Sequence, residues 1–111
     1  MSPLQLVQQQ FAAYNARDLD AFTACYSDTV QVFRPPAPQP TLVGKPAFAA
    51  FYQTQRFNRP GLRAELVNRM VLGDTVIDHE RIHGLGDIPV EMAVAYLVQH
   101  GLIQTVHAYP A

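Results

Sequence analysis

The chain has 111 residues, the usual size of one domain, and 49% of them are apolar, so we expect a single folded domain over residues 1–111. The net charge is −1 and the eight Lys and Arg residues are scattered. This excludes nucleic acid as an expected partner, because phosphate binding needs clustered cations. No apolar run approaches the ~18 residues of a membrane span, so no membrane partner is expected either.

The cysteine content and the first residues indicate a location. Cys25 is the only cysteine, so no internal disulfide can form, as in proteins of reducing compartments. The first ten residues lack the cationic start and apolar stretch of a signal peptide. We therefore expect a cytoplasmic protein. Only 15% of the residues are charged, against ~25% in an average domain, which suggests that a partner subunit covers part of the surface.

Two helices are predicted at the start of the chain. Ser2 and Pro3 suit a helix N-terminus, and apolar residues then recur at spacings of three and four as far as Tyr14. Asp18 can cap a second helix, whose apolar face is predicted to extend to Tyr26.

The next segment mixes extended and helical patterns. Residues 30–34 alternate as a short strand, and four prolines between positions 35 and 40 then predict an extended loop or a sheet edge. Residues 42–44 read as a strand remnant. A third helix is predicted from residue 45, with four side chains facing inward: Phe48, Phe51, Tyr52 and Gln55.

From residue 62 the apolar period changes to two, which predicts strands. Residues 64–72 and 75–83 form one predicted hairpin about a two-residue turn, and residues 90–98 and 102–109 form a second. Helices come first and strands last, which is the α+β pattern.

Four segments, taken in order, resemble the nuclear transport factor 2-like superfamily, in particular its SnoaL-like and ketosteroid-isomerase-like branches. They are residues 11–33 (FAAYNARDLDAFTACYSDTVQVF), 42–52 (LVGKPAFAAFY), 68–84 (NRMVLGDTVIDHERIHG) and 94–110 (VAYLVQHGLIQTVHAYP). The resemblance implies a cone-shaped barrel in which a strongly curved, mostly antiparallel sheet and three N-terminal helices enclose a pocket. It also implies a homodimer formed through the sheet. Relatives isomerise, cyclise, dehydrate, hydrolyse or only bind, so the fold does not choose the function.

The residues that steroid isomerases of this family use are not found at the matching positions. The first-strand base position falls on Arg34, which cannot accept a proton. The oxyanion aspartate position falls near Ala93, and the tyrosine position near Gln10, one turn before Tyr14. No Asp or Glu occurs between Asp28 and Glu65, so that base is absent in any register.

The segment from His79 to His83 matches the zinc-protease pattern H-E-x-x-H, but it lies in a predicted strand. Four residues along a strand span ~13 Å, which is too far for one zinc ion to bridge. No metal site and no cofactor are therefore expected.

Three acidic or basic residues of this strand are candidates for acid–base catalysis: Asp78, His79 and Glu80. Folding the hairpin pairs Arg69 with Asp78 and Val67 with Glu80. Adjacent strand residues face opposite sides, so only one of His79 and Glu80 can line a pocket. The alternative interpretation is a cross-strand ion pair with satisfied polar groups on a half-buried sheet.

Further residues are candidates for ligand binding because the resemblance places them near the pocket walls. They are Tyr14, Phe33, Phe51, Tyr52, Glu91, Tyr96 and His107. The tyrosines also fit a core role with the hydroxyl reaching a partner, and His107 fits a structural or interface role.

Three functions remain open at this point. The first is a cofactor-free isomerase, cyclase or hydrolase acting on a small apolar molecule. The second is a non-catalytic binding protein with the same pocket. The third is a dimeric interaction module whose cone is filled by aromatic side chains.

Overall fold

The computed structural model describes residues 1–111 as three helices and six strands. The helices are α1 (Pro3–Ala16), α2 (Leu19–Thr23) and α3 (Lys45–Gln55). The strands are β1 (Tyr26–Phe33), β2 (Leu42–Val43), β3 (Arg63–Leu72), β4 (Thr75–His83), β5 (Val90–Gln99) and β6 (Leu102–Pro110).

All six strands form one sheet in the order β2-β1-β6-β5-β4-β3. Strand β1 runs parallel to β6, and every other pair is antiparallel. The first strand, β1, pairs with the last, β6, so strands from opposite ends of the chain are neighbours. Strands β2 and β3 form the two edges of the sheet. The predicted α+β class and mostly antiparallel sheet are confirmed.

Both predicted helix caps are present. The Ser2 hydroxyl accepts from the Gln5 backbone N–H at 3.1 Å, while the Gln5 side chain accepts from the Ser2 N–H at 2.9 Å. Asp18 accepts from the Ala21 N–H at 3.1 Å. Helix α2 is shorter than predicted, since it ends at Thr23 and Tyr26 begins β1 instead. The apolar pattern that predicted a longer helix continues past Thr23, but buried Tyr26 belongs to the sheet and not to α2.

The main core lies between the helices and the inner face of the sheet. At its centre Phe22, Tyr26 and Phe48 have at most 2% of their surface exposed. Their ring centroids are 4.4 to 5.6 Å apart, so one residue from each of α2, β1 and α3 meets at one point. Full burial of each such ring stabilises the fold by roughly 1.5–3 kcal/mol.

The β3–β4 hairpin keeps the predicted register only near its turn. Arg69 lies opposite Asp78 as predicted. Farther on, Glu80 lies opposite Leu66 and not Val67, because a β-bulge at Val67 adds one residue to β3. The register predicted for Val67 and Glu80 is therefore wrong by one residue.

None of the three helices combines the length and the apolar character needed to cross a lipid bilayer.

The loop after β4 packs closely against the loop before β3. Gly84 has φ +92°, and a Cβ there would lie 2.6 Å from the Leu62 backbone nitrogen and against the backbone of Gly61. Only glycine fits this position without moving the main chain.

We expect Gly84→Ala to lower the free energy of unfolding by about 2–4 kcal/mol, because it adds a backbone clash to a left-handed conformation. Gly86→Ala is the matched control, since a Cβ at Gly86 meets nothing within 4 Å. Urea unfolding of both variants measures the difference. Equal stabilities would contradict the close packing of the two loops.

Candidate functional site

A small cavity lies between the helices and the inner face of the sheet. Its volume is about 60 Å³, which holds a few water molecules. Most side chains around it are apolar or aromatic, and Glu80 is the only acidic one. The volume is well below the roughly 300 Å³ of a typical ligand pocket, so a larger ligand must displace side chains.

Glu80 brings a carboxyl group into this apolar surrounding. Strand β4 alternates, with Val76, Asp78, Glu80 and Ile82 buried on the inner face. Only 6% of the Glu80 surface is exposed, and its Oε2 accepts a hydrogen bond from the Tyr96 hydroxyl at 3.2 Å. Burial, followed by the negative charge of Asp78, raises the Glu80 pKa to about 7. At neutral pH the group can therefore both give and take a proton.

Asp78 is buried too, but it is fully paired. The Arg69 guanidinium donates to both Asp78 oxygens, at 2.6 and 2.9 Å, and also to Gln8 at 2.7 Å. Asp78 has no exposed surface and does not line the cavity. The predicted cross-strand pair is present, and it leaves Asp78 no free oxygen facing a ligand.

Four tyrosines line the cavity, and the hydroxyls of two of them are hydrogen-bonded to other side chains of the chain. The Tyr96 hydroxyl donates to Glu80, and the Tyr26 hydroxyl donates to Gln10 at 2.8 Å. The hydroxyls of Tyr14 and Tyr52 have no hydrogen-bond partner in the chain. Burial raises the pKa of both, so they stay protonated and can donate to a ligand.

Two arginines complete the cavity wall. Arg34 and Arg56 are half-buried, and their guanidinium groups lie over the Phe51 ring, 5.8 and 4.8 Å from its centroid. Phe51 therefore supports the arginines and does not itself line the cavity. The sequence interpretation missed Arg56 as a site residue, although its position one turn after Tyr52 is a usable signal.

His79 and Glu91 lie on the outer face of the sheet, away from the cavity. The His79 ring nitrogen and a Glu91 oxygen are 2.6 Å apart, and Arg81 lies 3.5 Å from the same oxygen. The hydrogen bond to His79 lowers the Glu91 pKa. The expected position of Glu91 at the pocket wall is corrected, because it pairs with outward-facing Arg81 across the β4–β5 register. Of the two adjacent candidates, Glu80 is the one that faces inward.

The second histidine of the H-E-x-x-H segment also faces outward. His83 bonds Glu65 at 3.0 Å, with Arg81 at 3.2 Å from the same carboxyl group. The segment is part of β4 and not a helix, as predicted. No three side chains among His, Cys, Asp and Glu are placed to hold one metal ion.

Phe33 and His107 differ from their expected position as well. Their rings stack at 4.6 Å with an interplanar angle of 6°. Neither lines the cavity, because the preceding residues Val32 and Val106 do, and adjacent strand residues face opposite sides. The two rings therefore belong to the outer face.

The sequence model of the SnoaL-like domain matches residues 7–106. The chain belongs to the SnoaL-like family. A search of curated protein sequences gives no match.

Solved structures confirm the fold of this SnoaL-like chain. One is a provisionally assigned ketosteroid isomerase from Kribbella flavida, with a TM-score of 0.82 and 20% identity over 96% of this chain and 76% of that one. Another is a provisionally assigned polyketide cyclase from Sinorhizobium meliloti, with a TM-score of 0.81 and 19% identity over 94% and 93%. A computationally designed 17-OHP binder has a TM-score of 0.84 and 21% identity over 98% and 94%. At these identities the likeness shows the fold alone.

Because the Glu80 pKa rises on folding, this residue makes stability depend on pH. Between pH 4.5 and about 7 the unfolded chain releases the proton while the folded chain keeps it. The stabilisation is therefore complete below pH 4.5 and is lost as the pH rises through 7. Glu80→Gln keeps an acceptor for Tyr96 but cannot ionise. We expect it to gain about 3 kcal/mol relative to the wild type over this interval.

Urea unfolding at a series of pH values measures that difference, in which the other titrating groups cancel. Parallel stability curves for the wild type and Glu80→Gln would contradict the raised pKa.

Proposed function

We propose that the chain binds a small, largely apolar molecule in the cavity and moves a proton on it with Glu80. The observation that supports this is a single buried carboxyl group, with a pKa of about 7, on the wall of an apolar cavity. Groups whose environment brings the pKa near the working pH are efficient general acids and bases.

The cavity residues suit a carbonyl compound. The Glu80 carboxylate takes a proton from the carbon next to the carbonyl, and the electrons of that C–H bond form a C=C bond as the carbonyl π electrons move to oxygen. A hydroxyl of Tyr14 or Tyr52 donates a hydrogen bond to the resulting enolate oxygen. Glu80 then returns the proton to the same or another carbon, which gives exchange or isomerisation. No added oxidant, reductant or cofactor is needed.

Deuterium exchange tests this chemistry without knowledge of the natural substrate. Cyclohexanone is incubated with the protein in D₂O, and deuterium at its α-carbons is followed by mass spectrometry. We expect exchange above the buffer rate, and a loss of about a hundredfold or more in Glu80→Gln. His79→Gln is the matched control, because it removes the neighbouring titratable group from the opposite face.

The outcomes separate the alternatives. Exchange that survives Glu80→Gln but not His79→Gln would overturn the assignment. A wild-type protein that gains thermal stability from the ketone but causes no exchange would favour the second candidate, a non-catalytic binding protein. That candidate is favoured by Arg34, which occupies the position where related isomerases carry their base.

We also propose that the chain forms a homodimer through the outer face of β3, β4 and β5. An apolar patch there combines paired residues of the three strands: Met70, Leu72, Ile77, Ala95 and Leu97. Met70 and Leu72 are 55% and 74% exposed, and such a patch is typical of a surface that a partner covers.

We expect Ile77→Lys to convert the dimer to a monomer, because it buries an unpaired charge in the interface. Sedimentation equilibrium measures the mass. Ile88→Lys is the control, since Ile88 is 78% exposed but lies in the loop after β4. A wild-type chain that sediments as a monomer, or a dimer that Ile77→Lys leaves intact, would contradict this interface.

A further inference from the structure

The free hydrogen-bonding groups around the cavity are nearly all donors. Tyr14 and Tyr52 have unpartnered hydroxyls. Arg34 and Arg56 add two guanidinium groups, of which Arg56 already donates one hydrogen bond, to the Gln55 carbonyl at 2.9 Å. The Gln10 side chain is already used, since it accepts from Tyr26 and donates to the Val7 carbonyl at 3.0 Å. Glu80 is the only carboxyl group among them. The free tyrosine hydroxyls can also accept, whereas the guanidinium groups only donate, so a ligand that reaches the arginines must supply acceptors.

The two arginines also lack a compensating charge. Neither forms a salt bridge, and Glu80 is the only one of the nine acidic residues that lines the cavity. Both guanidinium groups lie within 6 Å of the centroid of the same Phe51 ring, and both line the cavity, so its wall carries two positive charges. Burial lowers the Arg56 pKa, and the charge of Arg34 lowers it further. An anion in the cavity offsets these two positive charges.

We propose that the cavity takes an organic carboxylate, with its apolar body inside and its carboxylate held by Arg34 and Arg56. The inference rests on the proposed function, because it names the ligand class of the same cavity. The planar guanidinium group suits a carboxylate, to which it can donate two parallel hydrogen bonds. The aromatic and aliphatic wall suits an apolar ring or chain attached to it.

In this proposal, two sets of cavity residues contact different parts of the ligand. The arginines recognise charge, while Glu80, which lies on another strand, faces the uncharged part of the ligand. Their positions agree with this: Glu80 comes from β4, whereas Arg34 follows β1 and Arg56 follows α3. A ligand that spans the cavity can therefore contact both groups at once.

Benzoate and benzamide are matched probes for this proposal, since they share a shape and differ in charge. Neither has an acidic C–H bond, so their binding does not depend on proton transfer by Glu80. Isothermal titration calorimetry measures both affinities. We expect benzoate to bind at least about tenfold more tightly, and this preference to weaken as salt is raised.

The preference should fall to about onefold in the Arg34→Met/Arg56→Met double variant, and by a smaller factor in each single variant. Arg59→Met is the control, because it removes a nearby positive charge that does not line the cavity. Near-ultraviolet circular dichroism checks the folding of each variant, and the single variants serve if the double variant does not fold.

Three results would overturn the proposal: equal binding of the two probes, a benzoate preference that survives loss of both arginines, or tighter binding of phenyl phosphate than of benzoate. The last result would assign the site to a phosphate ester. Failure of the proposed function looks different. A benzoate preference without ketone exchange leaves the carboxylate site standing in a binding protein, whereas exchange without the preference retains the chemistry and removes the carboxylate.

Discussion

The strict alternation of β4 is the constraint on which the rest of the site depends. Successive residues of a strand face opposite sides, so one nine-residue segment supplies both surfaces of the sheet. Asp78 and Glu80 enter the interior, while His79 and Arg81 join the ionic network outside. A shift of β4 by one residue would exchange the two sets and place an imidazole where the cavity now has a carboxyl group.

Burying a charged carboxyl group costs free energy, and the surroundings of Asp78 and Glu80 offset this cost in different ways. Asp78 is held by two nitrogens of the Arg69 guanidinium group, one on each of its oxygens. Glu80 has only the Tyr96 hydroxyl, so burial raises its pKa into the neutral range. Two carboxyl groups two residues apart thus acquire different chemical properties, and their surroundings alone account for the difference.

The cavity combines this proton-carrying group with an excess of hydrogen-bond donors. In the steroid isomerases that the sequence resembles, the base is expected on the first strand. Here that position is occupied by Arg34, and the buried carboxyl group comes from β4, three strands away in the sheet. Under the proposed function, the acid–base group of this chain therefore lies on a different strand of the same fold. The narrow cavity and its aromatic wall favour a compact ligand whose polar groups meet the arginines and the free tyrosine hydroxyls.

The sequence by itself determined the element order, the helix caps at Ser2 and Asp18, the strand nature of the H-E-x-x-H segment and the pairing of Arg69 with Asp78. These features depend on residue type and on periods that are local in the chain. Only the tertiary structure decided that Glu80 faces inward, that Glu91, Phe33 and His107 face outward, and that Arg56 and Arg34 line the same cavity. Those facts depend on which face of the sheet the helices cover and on how α3 packs against β1. Contacts between residues distant in the chain set both, and no local pattern records them.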